Sequence, residues 1–245
     1  MTNNANLFAI LEQTFARSGE SIAFDLGQEG QISYAALSRR VGQMANALES
    51  FGVGPGDRVT AQVEKSIANV CLYLATMKCG AIYNPLNTAY TAAELGYFLA
   101  DAQPRLLVVP ANRRGALKGA VAEAGVQAVE TMEADGGGSL TQRAEAMESA
   151  HATAFRQPDD LAALIYTSGT TGRSKGAMIT HENLSSNARV LHDYWGFVPG
   201  DVLLHALPVF HVHGLFVALH TAFLNGSRML WRSRFDVEEV MRLLP

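Results

Sequence analysis

An α/β fold with mostly parallel sheets flanked by helices is predicted by three features of this chain. Strand-like and helix-like segments alternate along its length. Several strands are short, continuous apolar runs, such as "RLLVVP" (105–110), the pattern of a strand covered on both faces. Glycine- and proline-rich turns, such as "GVGPGD" (52–57), punctuate the changes from one element to the next.

The elements follow in order. Residues 6–17 place Leu7, Ile10, Leu11 and Phe15 at helical spacing. A second amphipathic helix runs from about Tyr34 to Glu49, with Ser33 as its N-cap and Leu37, Val41, Met44 and Leu48 on one face. "RVTAQV" reads as a strand, Ser66 to Lys78 as an apolar helix, and "GAIYN" as a strand that ends at Pro85. Thr91 opens the next helix, with Glu94 three residues on to bond back to the cap. "DLAALIYTS" is a buried strand leading into a glycine-rich loop, and Thr180 to about Asp193 is a helix. "VLLHALPVF" is a strand, "HGLFVALHTAFL" an apolar helix stopped at Asn225-Gly226, "SRMLW" a strand and "FDVEEVMRLL" an amphipathic helix. Between them, residues 134–160 open on three glycines and lack periodicity, which predicts a surface connection between two lobes. The expected division is a first α/β subdomain over 1–133, this connection over 134–160, and the start of a second over 161–245.

With 245 residues, 48% hydrophobic and 17% charged, the chain can bury a substantial core. A net charge of −4 advertises no surface for a polyanion, so nucleic acid is not an expected partner. Cys71 and Cys79 have apolar neighbours and no second pair, the pattern of buried thiols in a reducing compartment rather than of a disulfide or structural zinc. The first twenty residues have no basic start and carry Glu12 and Arg17, which excludes a signal peptide or membrane span there. A cytoplasmic protein is expected.

The chemistry concentrates in "LIYTSGTTGRSKGAM" (164–178). Glycines let successive main-chain N–H groups converge on one anion, hydroxyls add donors, and a lysine adds a mobile charge. Thr167, Ser168, Gly169, Thr170, Thr171, Gly172 and Lys175 supply these parts. The NTPase P-loop is excluded because Lys175 follows Ser174 and precedes Gly176, whereas that motif needs Gly-Lys-Ser/Thr. A dinucleotide fingerprint is excluded because the first glycine of G-x-G-x-x-G is lacking.

The string "YTSGTTGRSKG" resembles the signature loop of the adenylate-forming superfamily, which includes acyl-CoA synthetases, adenylation domains of peptide synthetases and luciferases. "LPVFHVHG" (207–214) is similar to that superfamily's aromatic-histidine segment. "ISYAALSRRVGQMANALESFGVGPGDRV" and "MKCGAIYNPLNTAYTAAELGYFLADAQPRLLVV" extend the resemblance over essentially the whole chain. It implies the large N-terminal domain of an acid–thiol ligase that uses ATP, Mg2+ and coenzyme A. A carboxylate attacks the α-phosphorus of ATP, pyrophosphate leaves, and a thiol then displaces AMP. The loop residues would hold the β- and γ-phosphates, with Thr171 and Lys175 acting in catalysis, and magnesium would share the neutralisation of charge.

His211 and His213 are two apart, so on an extended strand they would face the same side. That spacing suits a metal, but no third ligand has a clear spacing, and no metal-ligating set is assigned. Core histidines bonded to the main chain are the plainer alternative. The resemblance instead puts His211 in the carboxylate channel, with a catalytic role, and Gly214 where the following helix approaches the acyl pocket. Within the superfamily, "LPVFHVHGLFVALHTAFLNGSRMLW" looks most like malonyl-CoA synthetases. A dicarboxylate needs a second cation, because an unpaired buried anion is costly. Arg232 and Arg234 are the candidates, against the alternative that both mark a solvated strand end. The expected substrate is malonate or a related small carboxylic acid; another short-chain or fatty acyl ligase is the alternative. The superfamily's later motifs, which hold adenine and supply a second lysine, are not located in this chain. It is therefore expected to be inactive without a C-terminal part. The competing reading is a non-catalytic chain that binds phosphates or serves as an association module.

Overall fold

The computed structural model describes residues 4–167 and 174–243. In order they form α1 (Leu7–Ser18), β1 (Ile22–Asp25), a 3-10 turn (Gly27–Glu29), β2 (Gln31–Ser33), α2 (Tyr34–Ser50), β3 (Arg58–Ala61), α3 (Ile67–Lys78) and β4 (Ile82–Pro85). Next come α4 (Ala92–Ala102), β5 (Leu106–Val109), α5 (Ala111–Arg114), α6 (Lys118–Glu123), β6 (Ala128–Thr131), α7 (Ser139–Glu145), β7 (Leu161–Thr167) and β8 (Lys175–Thr180). Last are α8 (His181–Trp195), β9 (Val202–His205), a π-helical turn (His213–Ala218), α9 (Leu219–Asn225), β10 (Arg228–Trp231) and α10 (Val237–Leu243). The chain divides into two units, one of Met1–Ala9 with Arg39–Leu184 and one of Ile10–Ser38 with Ser185–Pro245.

The first unit holds a six-stranded sheet in the order β6-β5-β3-β4-β7-β8. Its first five strands are parallel, and β8 returns antiparallel to β7 at the edge. All four residues of β4 and of β5 are buried, as continuous apolar or sheathed runs require. Helix α3 is buried almost throughout, and Ser66 caps it by accepting the Asn69 N–H at 3.2 Å. The capping box expected at Thr91 is formed: the Thr91 Oγ1 accepts from Glu94 N, and the Glu94 carboxylate accepts from Thr91 N at 2.8 Å. Leu86, Leu95, Phe98, Leu99, Leu107, Val109 and Leu117 pack with Tyr166 into one cluster, which fixes β7 against α4 and β5.

The second unit holds a four-stranded sheet, β2-β1-β10-β9. Strands β1, β10 and β9 are parallel and β2 is antiparallel to β1. Its core is aromatic. Phe223 meets Phe15, Phe24 and Tyr34 at centroid distances of 5.1, 6.0 and 6.4 Å in edge-to-face contacts, and Phe24 meets Trp231 at 5.1 Å. Such pairs add about 0.5–1.5 kcal/mol each beyond burial. The Tyr34 hydroxyl, buried with them, donates to the Ser227 carbonyl at 2.8 Å. Ser33 accepts the Ala36 N–H at 3.2 Å, so the expected N-cap of α2 is in place.

The sheets group the strands differently from the expected division of the chain. Strands β7 and β8 join the first sheet beside β4, and β1 and β2 join β10. Parallel partners are distant in sequence, so a linear reading of composition does not see them. Residues 134–160 lie wholly within the first unit rather than between two. There α7 buries Leu140 and Ala144. The stretch after it is strapped down: Asn46 donates to the carbonyls of Glu148 and Ala150 at 2.7 and 3.0 Å, and Ala154 N–H donates to Lys78 O at 2.9 Å.

Strand β9 also stops at His205, short of the "VLLHALPVF" expected. Pro208 has no N–H to continue a ladder, and a turn follows it at Val209 and Phe210. Among the described residues no helix is long and apolar enough to cross a membrane.

Candidate functional site

In the first unit the glycine-rich stretch leaves the carboxyl end of β7, the edge where open α/β sheets place their ligands. Ser168, Gly169, Thr170, Thr171 and Gly172 lie outside the described residues. Thr167 and Lys175 are described. They face each other as Cα partners in the β7–β8 ladder, both exposed, at the open end of the hairpin.

The frame behind them is stiff. The Tyr166 ring packs on Phe98 at 4.5 Å and its hydroxyl donates to Asp101 Oδ2 at 2.6 Å. Burial first, then the bond to Asp101, holds that phenol well above its ordinary range, so it stays a neutral donor. Gly176 lies opposite Tyr166; a Cβ there would come within 2.8 Å of Leu164 Cδ1 and 3.4 Å of the Tyr166 ring. Tyr97 donates to the Ser174 carbonyl at 2.8 Å, fastening the chain just before Lys175. At the far end of β8, Thr180 and Asn183 cap each other reciprocally at 3.1 Å and start α8. His181 follows. Its Nδ1 accepts the Leu7 N–H at 3.1 Å, and burial, then the nearby Arg156 charge, pushes its pKa down to about 4, so the ring is neutral.

In the second unit β9 and β10 run parallel, so the segments that follow them leave one edge of the sheet. After β9 comes the histidine segment. The structure corrects its expected strand geometry: His211 sits at a bend and His213 opens the π-helical turn, so they do not share a strand face. Both are exposed, which also removes them from the core. The His211 ring lies 4.4 Å from Phe210, and its carbonyl accepts the Leu215 N–H at 2.9 Å. Gly214 is buried, and a Cβ there would fall 2.1 Å from the Pro208 carbonyl oxygen. No side chain fits, so glycine is required for this turn.

A residue not singled out from the sequence holds the turn in place. His205, buried at the end of β9 with its ring 4.7 Å from Trp231, donates Nε2–H to the Gly214 carbonyl at 2.9 Å. A histidine inside an otherwise apolar strand was the available signal. Tyr97 gave none, since it lies on the exposed side of α4.

After β10, Arg232 is engaged rather than solvated. It pairs with Glu239 and donates to the carbonyls of Trp231 and Asp25 at 2.8 and 3.3 Å. Arg234 is exposed.

A mostly parallel α/β sheet thus sets Thr167 and Lys175 opposite each other, on either side of the glycine-rich sequence, at the carboxyl end of β7. The chain belongs to the AMP-binding enzyme family, whose pattern matches residues 11–244. Its structure is similar to that of apo MatB from Rhodopseudomonas palustris, at 47% identity and TM-score 0.94, covering 98% of this chain and 47% of that one. The same protein with ATP bound gives 48% identity and TM-score 0.93, covering 98% of this chain and 48% of that one. Among curated relatives, the probable CoA ligase CCL9 of Humulus lupulus is 31% identical over 93% of this chain and 44% of its own length. The sulfoacetate–CoA ligase of Cupriavidus necator is 30% identical over 84% of this chain and 40% of its own. The chain therefore spans about half the length of the relatives it matches.

Proposed function

We propose that this chain is the phosphate-binding and carboxylate-binding part of an ATP-dependent acid–thiol ligase, with malonate as its acid. The observation that carries the reading is the pairing of Thr167 with Lys175 across the mouth of the hairpin, inside the full string "YTSGTTGRSKG". A hydroxyl and an ammonium on directly opposed, exposed residues are a donor set suited to phosphate oxygens.

In the reaction a carboxylate oxygen bonds to the α-phosphorus as the bond to the β-phosphate oxygen breaks. Lys175 and Thr167, with Ser168, Gly169, Thr170, Thr171 and Gly172, would hold the departing pyrophosphate. They act by charge placement and orientation, with no protein nucleophile. Magnesium would supply further neutralisation of the phosphate charge; neither Thr167 nor Lys175 offers it a carboxylate. Coenzyme A then displaces AMP from the acyl carbon.

The malonate reading is supported by the segment 207–231 and by the two arginines. His211 and Arg234 are exposed on segments that leave one edge of the sheet, and Gly214 shapes the turn between. Arg232 would have to exchange Glu239 for the substrate's distal carboxylate, which makes Arg234 the freer of the two cations. Two buried free thiols support a reducing, cytoplasmic setting. ATP–pyrophosphate exchange by the protein, joined to the remaining length its relatives have, should be strongest with malonate, weaker with methylmalonate, and small with acetate or a long fatty acid. Preference for a monocarboxylate would overturn the substrate while leaving the ligase class standing.

A further inference from the structure

Away from both of these regions, and independent of the ligase reading, three side chains of different chemistry converge in the first unit. They are Glu49 in the last turn of α2, Cys79 at the C-cap of α3, and His151 in the strap that follows α7. Their ligand atoms all lie within 4.8 Å of one another. His151 Nε2 is 3.0 Å from Glu49 Oε1 and 4.0 Å from Cys79 Sγ. Tetrahedral zinc ligands at ordinary bond lengths sit roughly 3.3–3.7 Å apart. The His151–Glu49 and His151–Cys79 spacings bracket that range.

The groups are held before any ion arrives. Cys79 is buried, and its N–H is bonded to the carbonyl of Ala75. The imidazole side chain is 5% exposed, and its other nitrogen, Nδ1, has no hydrogen-bond partner among the described residues. The polar contacts of the ring are thus those with Glu49 and Cys79, which makes this cluster the feature that orients it. The strap carrying His151 is seated by the Asn46 bonds to Glu148 and Ala150, by Gln43 donating to Met147 O at 3.2 Å, and by Lys78 Nζ donating to Thr153 at 2.9 Å. The glutamate side chain is 56% exposed and opens the cluster to water on one side.

A catalytic Cys–His pair is the competing use of such residues. It needs a thiol of lowered pKa. Here burial first, and the Glu49 charge second, push the Cys79 thiol up to about 12, against a smaller opposing effect of Lys78.

We propose that Glu49, Cys79 and His151 form a zinc site with water in the fourth position, fastening the strap to the ends of α2 and α3. Imidazole nitrogen, thiolate sulfur and carboxylate oxygen are the donors zinc takes, and binding releases the thiol proton to solvent. Sequence spacing hides the site because the ligands come from three distant parts of the chain.

The test is a zinc titration of the purified protein in competition with a chromophoric chelator, alongside cobalt substitution. One zinc per chain is expected, with a thermal midpoint raised by the metal. Cys79→Ser and His151→Gln should weaken binding about 100-fold or more, beyond the loss usual for an outer partner. Glu49→Gln, at an exposed position that does not threaten folding, should weaken it about tenfold or more. Cys71→Ser should leave it unchanged. Cobalt should give a thiolate charge-transfer band in the wild type that Cys79→Ser loses. The wild-type spectrum decides even where a variant fails to fold. Binding of less than one zinc by the wild type, no such band, or equal weakening by Cys71→Ser would overturn the site.

Discussion

Gly214 and Gly176 both sit where a Cβ would make a close contact, yet the two contacts differ in kind. At Gly214 the obstacle is the main-chain oxygen of Pro208, at 2.1 Å from an added Cβ; at Gly176 it is the end of the Leu164 side chain, at 2.8 Å. A backbone carbonyl cannot rotate away, whereas a leucine changes rotamer at about 0.5–1.5 kcal/mol. Alanine within a strand recovers about 0.5–1 kcal/mol relative to glycine. Gly214→Ala is therefore expected to lose about 1–3 kcal/mol in denaturant unfolding, and Gly176→Ala to be near neutral. Equal losses would contradict the geometry. The importance of Gly214 was legible in the sequence through its place in the histidine segment. The reason was not, because the crowding atom is the main-chain oxygen of Pro208, brought back onto Gly214 by the turn after β9. The same turn moved His211 and His213 off a shared strand face and left the positioning of the segment to His205.

At the scale of an element, α8 shows how a helix start ties the hairpin to the chain's first residues. Its N-terminus was legible from Thr180, since a hydroxyl with a partner three residues on is a local signal. The bond from Leu7 N–H to His181 was not, because it spans 174 residues. That bond has a consequence in pH. The folded pKa of His181 is pushed down to about 4, mainly by burial, from an ordinary value of 6.5. Between pH 6.5 and 4 the unfolded chain takes up a proton that the folded one refuses. Stability from this group is thus complete above pH 6.5 and falls as pH falls through the window, by about 1.4 kcal/mol per unit at most. His220, buried and pushed down to about 3, adds a loss of the same sign. His181→Gln keeps an acceptor for the Leu7 N–H and removes the titration. Unfolding measured from pH 7.5 to 4.5 should fall more steeply in the wild type than in this variant; parallel curves would show that the ring takes up its proton equally in the folded and unfolded states.

For the whole molecule, the fold class followed from composition and from apolar runs such as "RLLVVP", because burial on both faces leaves a local trace. Membership of the sheets did not follow. Strand β7 pairs with β4 and β1 with β10, and no residue on either strand names its partner. The loop signature was legible as residues, and the structure adds the frame that holds it: Tyr166 on Phe98 and Asp101, Tyr97 on Ser174, and Lys175 opposite Thr167. In each unit the candidate residues follow parallel strands at their carboxyl ends. The most direct test of the central claim is malonate-dependent ATP–pyrophosphate exchange in the protein joined to the remaining length its relatives have, comparing Lys175 with Lys175→Ala. Loss of one charged donor to the leaving pyrophosphate should slow exchange about 10- to 1000-fold, with unchanged unfolding. Exchange at the wild-type rate in the folded variant would contradict the account.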